Sequence, residues 1–142
     1  MSTTQVFEHR LRVMANDCTV GNHVYYSRYL DWLEAARTEL FRAIGHPFGK
    51  LMESGLILPA IEAQLRYHQP ARFDDRVVVR LWVAEISRTR IFFSGQILNA
   101  DTGALLVTTA TTHVCTNHED KPQRLPPALA TALAAHVRTE IA

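Results

Sequence analysis

Asn16-Asp17-Cys18-Thr19-Val20-Gly21-Asn22-His23-Val24-Tyr25-Tyr26, running without a break into the amphipathic stretch Ser27 to Ile44, decides how the rest of the chain is read. An acidic residue, a loop of small residues, a His-Val-Tyr-Tyr step and a helix together set a carboxylate beside the free N–H groups of a helix start. That is chemistry suited to stabilising an oxyanion or binding an acyl carbonyl. From Arg28 onward, Tyr29, Leu30, Leu33, Ala36, Leu40, Phe41 and Ile44 recur at helical spacing, while Asp31, Glu34, Thr38 and Arg42 fall largely on another side. Gly45 and Pro47 mark the stop, Gly by accepting a left-handed cap and Pro because it cannot continue a helix. At ~1.5 Å per residue the helix is about 25 Å long, enough to cross one sheet.

On either side of this segment the pattern changes period. Val6 to Met14 alternates as a half-buried strand does. Leu58 to His68, Arg76 to Ile86, Arg90 to Asn99 and Ala104 to Thr116 all have β-compatible composition. In the second of these, Val77, Val79, Leu81 and Val83 share one face and Val78, Arg80, Trp82 and Ala84 the other. Asn99-Ala100-Asp101-Thr102-Gly103 is the clearest hairpin turn and joins the last two strands. Phe48 to Gly55 shows no defined pattern, and Leu125-Pro126-Pro127 opens a short terminal helix with Ala and Leu on one side. One strand, a long helix and then an antiparallel meander make an α+β plan in which a curled sheet must bury the helix's apolar stripe.

A chain of 142 residues, 47% hydrophobic and 20% charged, is expected to form one domain over 1–142 with a real core. Its net charge of +1 creates no global field, which argues against nucleic acid or an anionic membrane as partner. Met1 to Gln5 lacks the basic-then-apolar pattern of a secretory signal, and no apolar run approaches the ~18 residues of a membrane span, so a cytoplasmic protein is expected. Cys18 and Cys115 then read as reduced thiols.

Three motifs in order give the sequence a family resemblance: Asp17 through Arg37, including Tyr29-Leu30-Asp31-Trp32-Leu33-Glu34-Ala35-Ala36-Arg37; Tyr67-His68-Gln69-Pro70-Ala71-Arg72-Phe73-Asp74-Asp75; and Thr112-His113-Val114-Cys115 with Lys121-Pro122. The chain resembles the 4-hydroxybenzoyl-CoA thioesterase family of hotdog-fold acyl-CoA thioesterases over nearly its whole length. The resemblance implies an α+β hotdog fold, with an antiparallel curled sheet of about five strands wrapped around one long central helix, plus a short C-terminal helix. It implies hydrolysis of an acyl-CoA thioester to free acid and CoA, with no metal and no cofactor beyond the CoA of the substrate, in a homodimer or homotetramer whose active sites lie at the subunit interface. A carboxylate acts as nucleophile or as general base, and the helix-start amide, which falls at Tyr26, polarises the carbonyl.

The chain departs from the family pattern at one point. The family motif commonly carries two acids separated by one residue, the second credited with catalysis; here the first is Asp17 and the second position is Thr19, while a family glycine is Asn22. Asp17 could reach the carbonyl through a shifted loop, Glu34 or Asp31 on the helix could serve as base, His23 could activate water, or catalysis could be weak or lost. Asp17 is the first candidate and Glu34 the reserve, although Asp also caps turns and Glu34 with Arg37 also makes an i,i+3 ion pair on a solvated face. Thr19 and Asn22 could orient water or satisfy their own backbone. Ser87, Arg88 and Arg90 at a strand junction carry over as the clamp for CoA phosphates. His113, Cys115 and His118 do not converge as a metal set by spacing, and Cys18 beside Asp17 is not assigned as nucleophile because a neighbouring carboxylate raises a thiol pKa. A non-hydrolytic acyl-CoA or acyl-carrier binding protein, and a hotdog hydratase or dehydratase using His23 with Asp17, are the competing readings. Tyr29, Trp32 and Phe41 are expected around the acyl pocket.

Overall fold

A computed structural model describes residues 5–138, so most of the Met1 to Gln5 segment read above lies outside the described residues. The elements in order are β1 (Phe7–Arg12), a 3-10 turn (Ala15–Asp17), α1 (Arg28–Ala43), α2 (Phe48–Glu53), β2 (Ala60–Tyr67), β3 (Arg76–Ile86), β4 (Arg90–Asn99), β5 (Leu105–Val114) and α3 (Pro127–Ala134). The strands form one antiparallel sheet in the order β1-β3-β4-β5-β2. Register shifts at Ala60/Glu62, Val83/Glu85 and Ile97/Leu98 are where an extra residue bends a strand and lets the sheet curl. This is the hotdog arrangement expected from the sequence.

Burial follows the two periods. Val77, Val79, Leu81 and Val83 of β3, with Ile91, Phe93 and Ile97 of β4, bury against Leu33, Ala36, Leu40 and Phe41 of α1. The opposite face of β3 is half covered. Trp82 is closed off by the segment after α3, where Val83 N–H donates to the His136 carbonyl (2.8 Å) and Arg138 lies 5.2 Å from the Trp82 ring centre. Gly45, at φ +86°, ends α1 in the left-handed conformation that a side chain would resist.

Three sequence expectations need correcting. The buried stripe of α1 is Tyr29, Trp32, Leu33, Ala36, Arg37, Leu40 and Phe41, so it is rotated away from Leu30, which is exposed. Arg37 therefore lies inside, not on a solvated face. Phe48 to Glu53 forms α2, only 6 residues, too short to display a helical period in sequence. Both central strands, Arg76–Ile86 and Arg90–Asn99, fall where the sequence puts them, because their ends are set by turn residues.

The sheet leaves β2 as an edge. Seven of its eight residues are exposed, including Ile61 and Tyr67, with only Leu65 half-buried. Such a strand presents unpaired N–H and C=O groups and apolar side chains together, the combination natural proteins cover. No described helix is long and apolar enough to cross a membrane.

Candidate functional site

The start of α1 is held in place mainly by the segment between β2 and β3. Val24 N–H donates to the Ala71 carbonyl (2.9 Å), Ala71 N–H donates to the Tyr29 hydroxyl (3.1 Å), and Phe73 N–H donates to Asn22 Oδ1 (3.0 Å). The Tyr67 hydroxyl donates to the Tyr26 carbonyl (3.0 Å), and its ring packs edge-on against Tyr29. The Tyr67-to-Asp75 motif is thus a brace for the helix start. Asn22 takes φ +62°, a left-handed conformation that Asn tolerates, which explains Asn in the place of a glycine.

Ser27 supplies no side-chain cap, and neither Tyr26 nor Ser27 donates its N–H to a partner among the described residues. Those amides stay open beside the positive end of the helix dipole. A small hollow lined by His23, Tyr26, Tyr29 and Tyr67 adjoins them. Thr19 and Asn22 close a tight turn through Asn22 N–H to the Thr19 carbonyl (3.0 Å), and Thr19 N–H donates to the His23 carbonyl (2.8 Å). Asp17 faces inward: its side chain is 14% exposed, Oδ2 accepts the Met14 N–H (2.9 Å), and Oδ1 stands 3.9 Å from Arg28 Nε. Its carbonyl accepts the Tyr25 N–H (2.8 Å), which fixes the residue next to the open amide. Burial, and then the Asp17 carboxylate, push the Cys18 thiol upward, away from reactivity.

Further along α1 lies a second, larger cavity of about 270 Å³. Phe41, Phe48, Leu51, Leu56, Leu58 and Phe93 make most of its wall apolar, and Glu34, Arg37 and His113 bring polar groups to it. Glu34 is 59% exposed at the side chain and accepts a 2.6 Å bond from Arg37 Nη2. Arg37 is 7% exposed and His113 4%. Arg37 Nη1 and His113 Nε2 are both buried without a hydrogen-bond partner among the described residues. His113 Nδ1 lies 3.0 Å from the Leu58 carbonyl, and burial, followed by the nearby Arg37 charge, holds the ring's pKa below its ordinary value. Phe41 lines this cavity and Tyr29 the small hollow, whereas Trp32 belongs to the core.

The remaining candidates sit at the far end of the sheet. Ser87 and Arg88 line a hollow with Arg124 and Thr131, while Arg90 lines a different one with Glu62 and Phe92. Ser87 Oγ accepts the Arg90 N–H (3.1 Å), so the hydroxyl also ties the turn. His118 Nε2 meets the Met52 carbonyl (3.0 Å) and His113 the Leu58 carbonyl, so each ring is held by a different stretch of chain. Sequence reasoning missed Arg124 and the pairing of Arg37 with His113. The signal for the pair was present: Arg37 falls four residues after Leu33 on the apolar stripe, and His113 follows Thr109 and Thr111 in alternation.

Residues 13–133 match the Thioesterase-like superfamily. A Synechocystis sp. relative is 35% identical over 127 residues, covering 88% of this chain and 76% of its own length. The acyl-CoA thioester hydrolase YbgC of Escherichia coli is 31% identical over 129 residues, with 89% of this chain and 93% of that one aligned. Among solved structures, a 1,4-dihydroxy-2-naphthoyl-CoA thioesterase from Synechocystis superposes with a TM-score of 0.85 at 25% identity, covering 92% of this chain and 96% of that chain.

Proposed function

The chain belongs to the Thioesterase-like superfamily, and from that premise we propose that it hydrolyses acyl-CoA thioesters with Glu34 as the general base and the Tyr26 N–H as the donor to the carbonyl oxygen. The observation that carries this reading is the pairing of an open helix-start amide with a carboxylate that reaches an apolar cavity. Glu34 takes a proton from water, the resulting hydroxide adds to the carbonyl, the Tyr26 N–H meets the oxyanion, and the C–S bond breaks with the proton passed to the departing CoA sulfur. Asp17, already engaged by Met14 N–H and close to Arg28, holds the loop that presents the amide. Thr19, Asn22 and His23 shape the same loop. The only cofactor required is the CoA of the substrate, and cytoplasmic acyl-CoA is the natural supply.

Distance supports a shared site. Tyr26 and Glu34 are eight residues apart, about 12 Å along one helix axis, too far for both to act on one carbonyl. The exposed β2 edge supports docking of a second copy in antiparallel sense, and a shared site then requires Glu34 of one protomer to meet the carbonyl held at Tyr26 of the other. We therefore assign a homodimer, with further pairing into a tetramer compatible with it. Ser87 and Arg88, joined by Arg124, take the CoA phosphates, and Arg90 contributes from the neighbouring hollow.

Complementation tests both halves. Glu34→Gln and Tyr26→Pro, which removes the N–H, are each expected to be inactive toward a panel of acyl-CoAs when free-thiol release is followed. Refolded together, they regain up to about a quarter of parental activity, because a mixed dimer keeps one intact composite site. Recovery absent in a mixture shown to contain mixed dimers would overturn the shared site; absence of thiol release by the parent would overturn the hydrolase.

A further inference from the structure

The two orphan nitrogens beside Glu34 ask for a partner of one particular kind. The Leu58 carbonyl can only accept, so His113 Nδ1 carries the proton of their 3.0 Å bond. Nε2 of the neutral ring is then a bare acceptor, and burial together with the Arg37 charge keeps the ring neutral. Arg37 Nη1 is a donor and nothing else. A carboxylate would satisfy Arg37 but oppose the lone pair of His113 and the charge of Glu34; a plain alkyl chain would leave both nitrogens unpaired at full desolvation cost. A group that accepts from Arg37 and donates to His113 answers both, and on an acyl chain the simplest such group is a hydroxyl.

We infer that this cavity is built for an acyl group bearing a hydroxyl close to its carbonyl, received between Arg37 Nη1 and His113 Nε2. The position follows from covalent geometry. Nη1 shares its guanidinium carbon with Nη2, which bonds Glu34 at 2.6 Å, so the hydroxyl is held beside the carboxylate and not at the far end of the pocket. The remainder of the acyl group continues among Phe41, Phe48, Leu51 and Leu56, which offer no polar group to a hydroxyl placed further out. Phe93 fixes the pair from below, edge-on to His113 at 5.4 Å between ring centres and 6.0 Å from the Arg37 guanidinium carbon. The inference names the substrate class of the proposed hydrolase and so rests on Glu34 being its base.

Binding and turnover separate the two claims. The ligands are CoA analogues in which a methylene replaces the thioester sulfur, carrying hexanoyl, 3-hydroxyhexanoyl or 6-hydroxyhexanoyl groups, titrated by calorimetry against the whole protein. The 3-hydroxy analogue is expected to bind at least about tenfold more tightly than the other two. In His113→Phe, or in Arg37→Met should the former not fold, that ratio falls toward unity. Equal binding of all three by the parent would mean that a water holds the two nitrogens, and would overturn the inference even if the thioesters are hydrolysed. A ratio retained in the folded variant would remove His113 or Arg37 from the site. The 3-hydroxy preference without thiol release from 3-hydroxyhexanoyl-CoA would preserve the hydroxyl site and remove the hydrolase reading.

Discussion

The start and the middle of α1 are built on opposite principles. At its start, the end of β2, the β2–β3 connection and the loop after β1 brace the chain around the opening amides: Tyr67 holds Tyr26, Asn22 holds Phe73, Tyr29 holds Ala71 and Asp17 holds Met14. Midway along, the cavity wall contains two buried nitrogens that no described residue satisfies, next to a carboxylate at the surface. A region braced by so many bonds keeps its shape, and the direction of its open amides, without a ligand; buried side chains with unmet bonds are waiting for one, since each orphan costs free energy until it is paired. The start of the helix is thus a fixed frame and the cavity is the part that responds to substrate.

The largest effect that this contrast implies separates the two carboxylates. Glu34→Gln is expected to lower kcat by roughly 10²- to 10⁴-fold, because general base catalysis is worth that much, with the loss of stability from removing the counter-charge of buried Arg37 limited by the Gln oxygen, which still accepts from Nη2. Asp17→Asn should do the reverse: a loss of about 1–2 kcal/mol in urea unfolding, from weakening the Met14 bond, with kcat reduced far less. Steady-state kinetics and denaturation on both variants settle the division. A collapse of kcat in Asp17→Asn with Glu34→Gln active would exchange their roles.

The same contrast explains what the sequence could and could not reveal. Strand and helix ends were legible because turn and cap residues such as Gly45 and Gly103 act locally, and both take the positive φ that Gly accommodates. Asp17 and Tyr26 stood out because a motif surrounds them in sequence. Arg37 and His113 are separated by 76 positions, and only the tertiary fold brings them to one cavity wall. Charged residues at helical i,i+3 spacing read as a solvated pair until the rotation of the stripe is known, and that rotation is set by Trp32 entering the core, a tertiary event. α2 was hidden by its brevity.

A smaller effect probes the frame. Asn22→Ala removes the acceptor for Phe73 N–H and places a residue with no taste for left-handed φ at +62°, so it should cost about 1–2 kcal/mol in urea unfolding. Asn22→Gly loses the bond but not the conformation and should recover part of that. If the braced start is a frame, KM for acyl-CoA rises in the alanine variant in step with the stability loss. Equal behaviour of the two variants would show that left-handed strain contributes nothing here and that the lost Phe73 bond carries the whole effect.

The smallest effect comes from the cavity. The His113 pKa in the folded protein lies below the ordinary value of 6.5, chiefly because the buried ring cannot be solvated as a cation. Protonation therefore favours the unfolded chain, which binds more protons than the folded one once the pH drops under that ordinary value. The contribution is complete above about pH 6.5 and is lost as pH falls from there toward the depressed folded value, with a slope of at most about 1.4 kcal/mol per pH unit for one proton. Urea unfolding of the parent and of His113→Phe across pH 5 to 7.5 should differ in slope below the neutral range and run parallel above it. A ligand hydroxyl that donates to Nε2 binds the neutral ring only, so the 3-hydroxy preference must fade as pH falls through the depressed folded value, at the acidic end of that window. If the preference instead grew on acidification, the hydroxyl would be accepting from a protonated Nε2, and the direction assigned to that bond would be wrong.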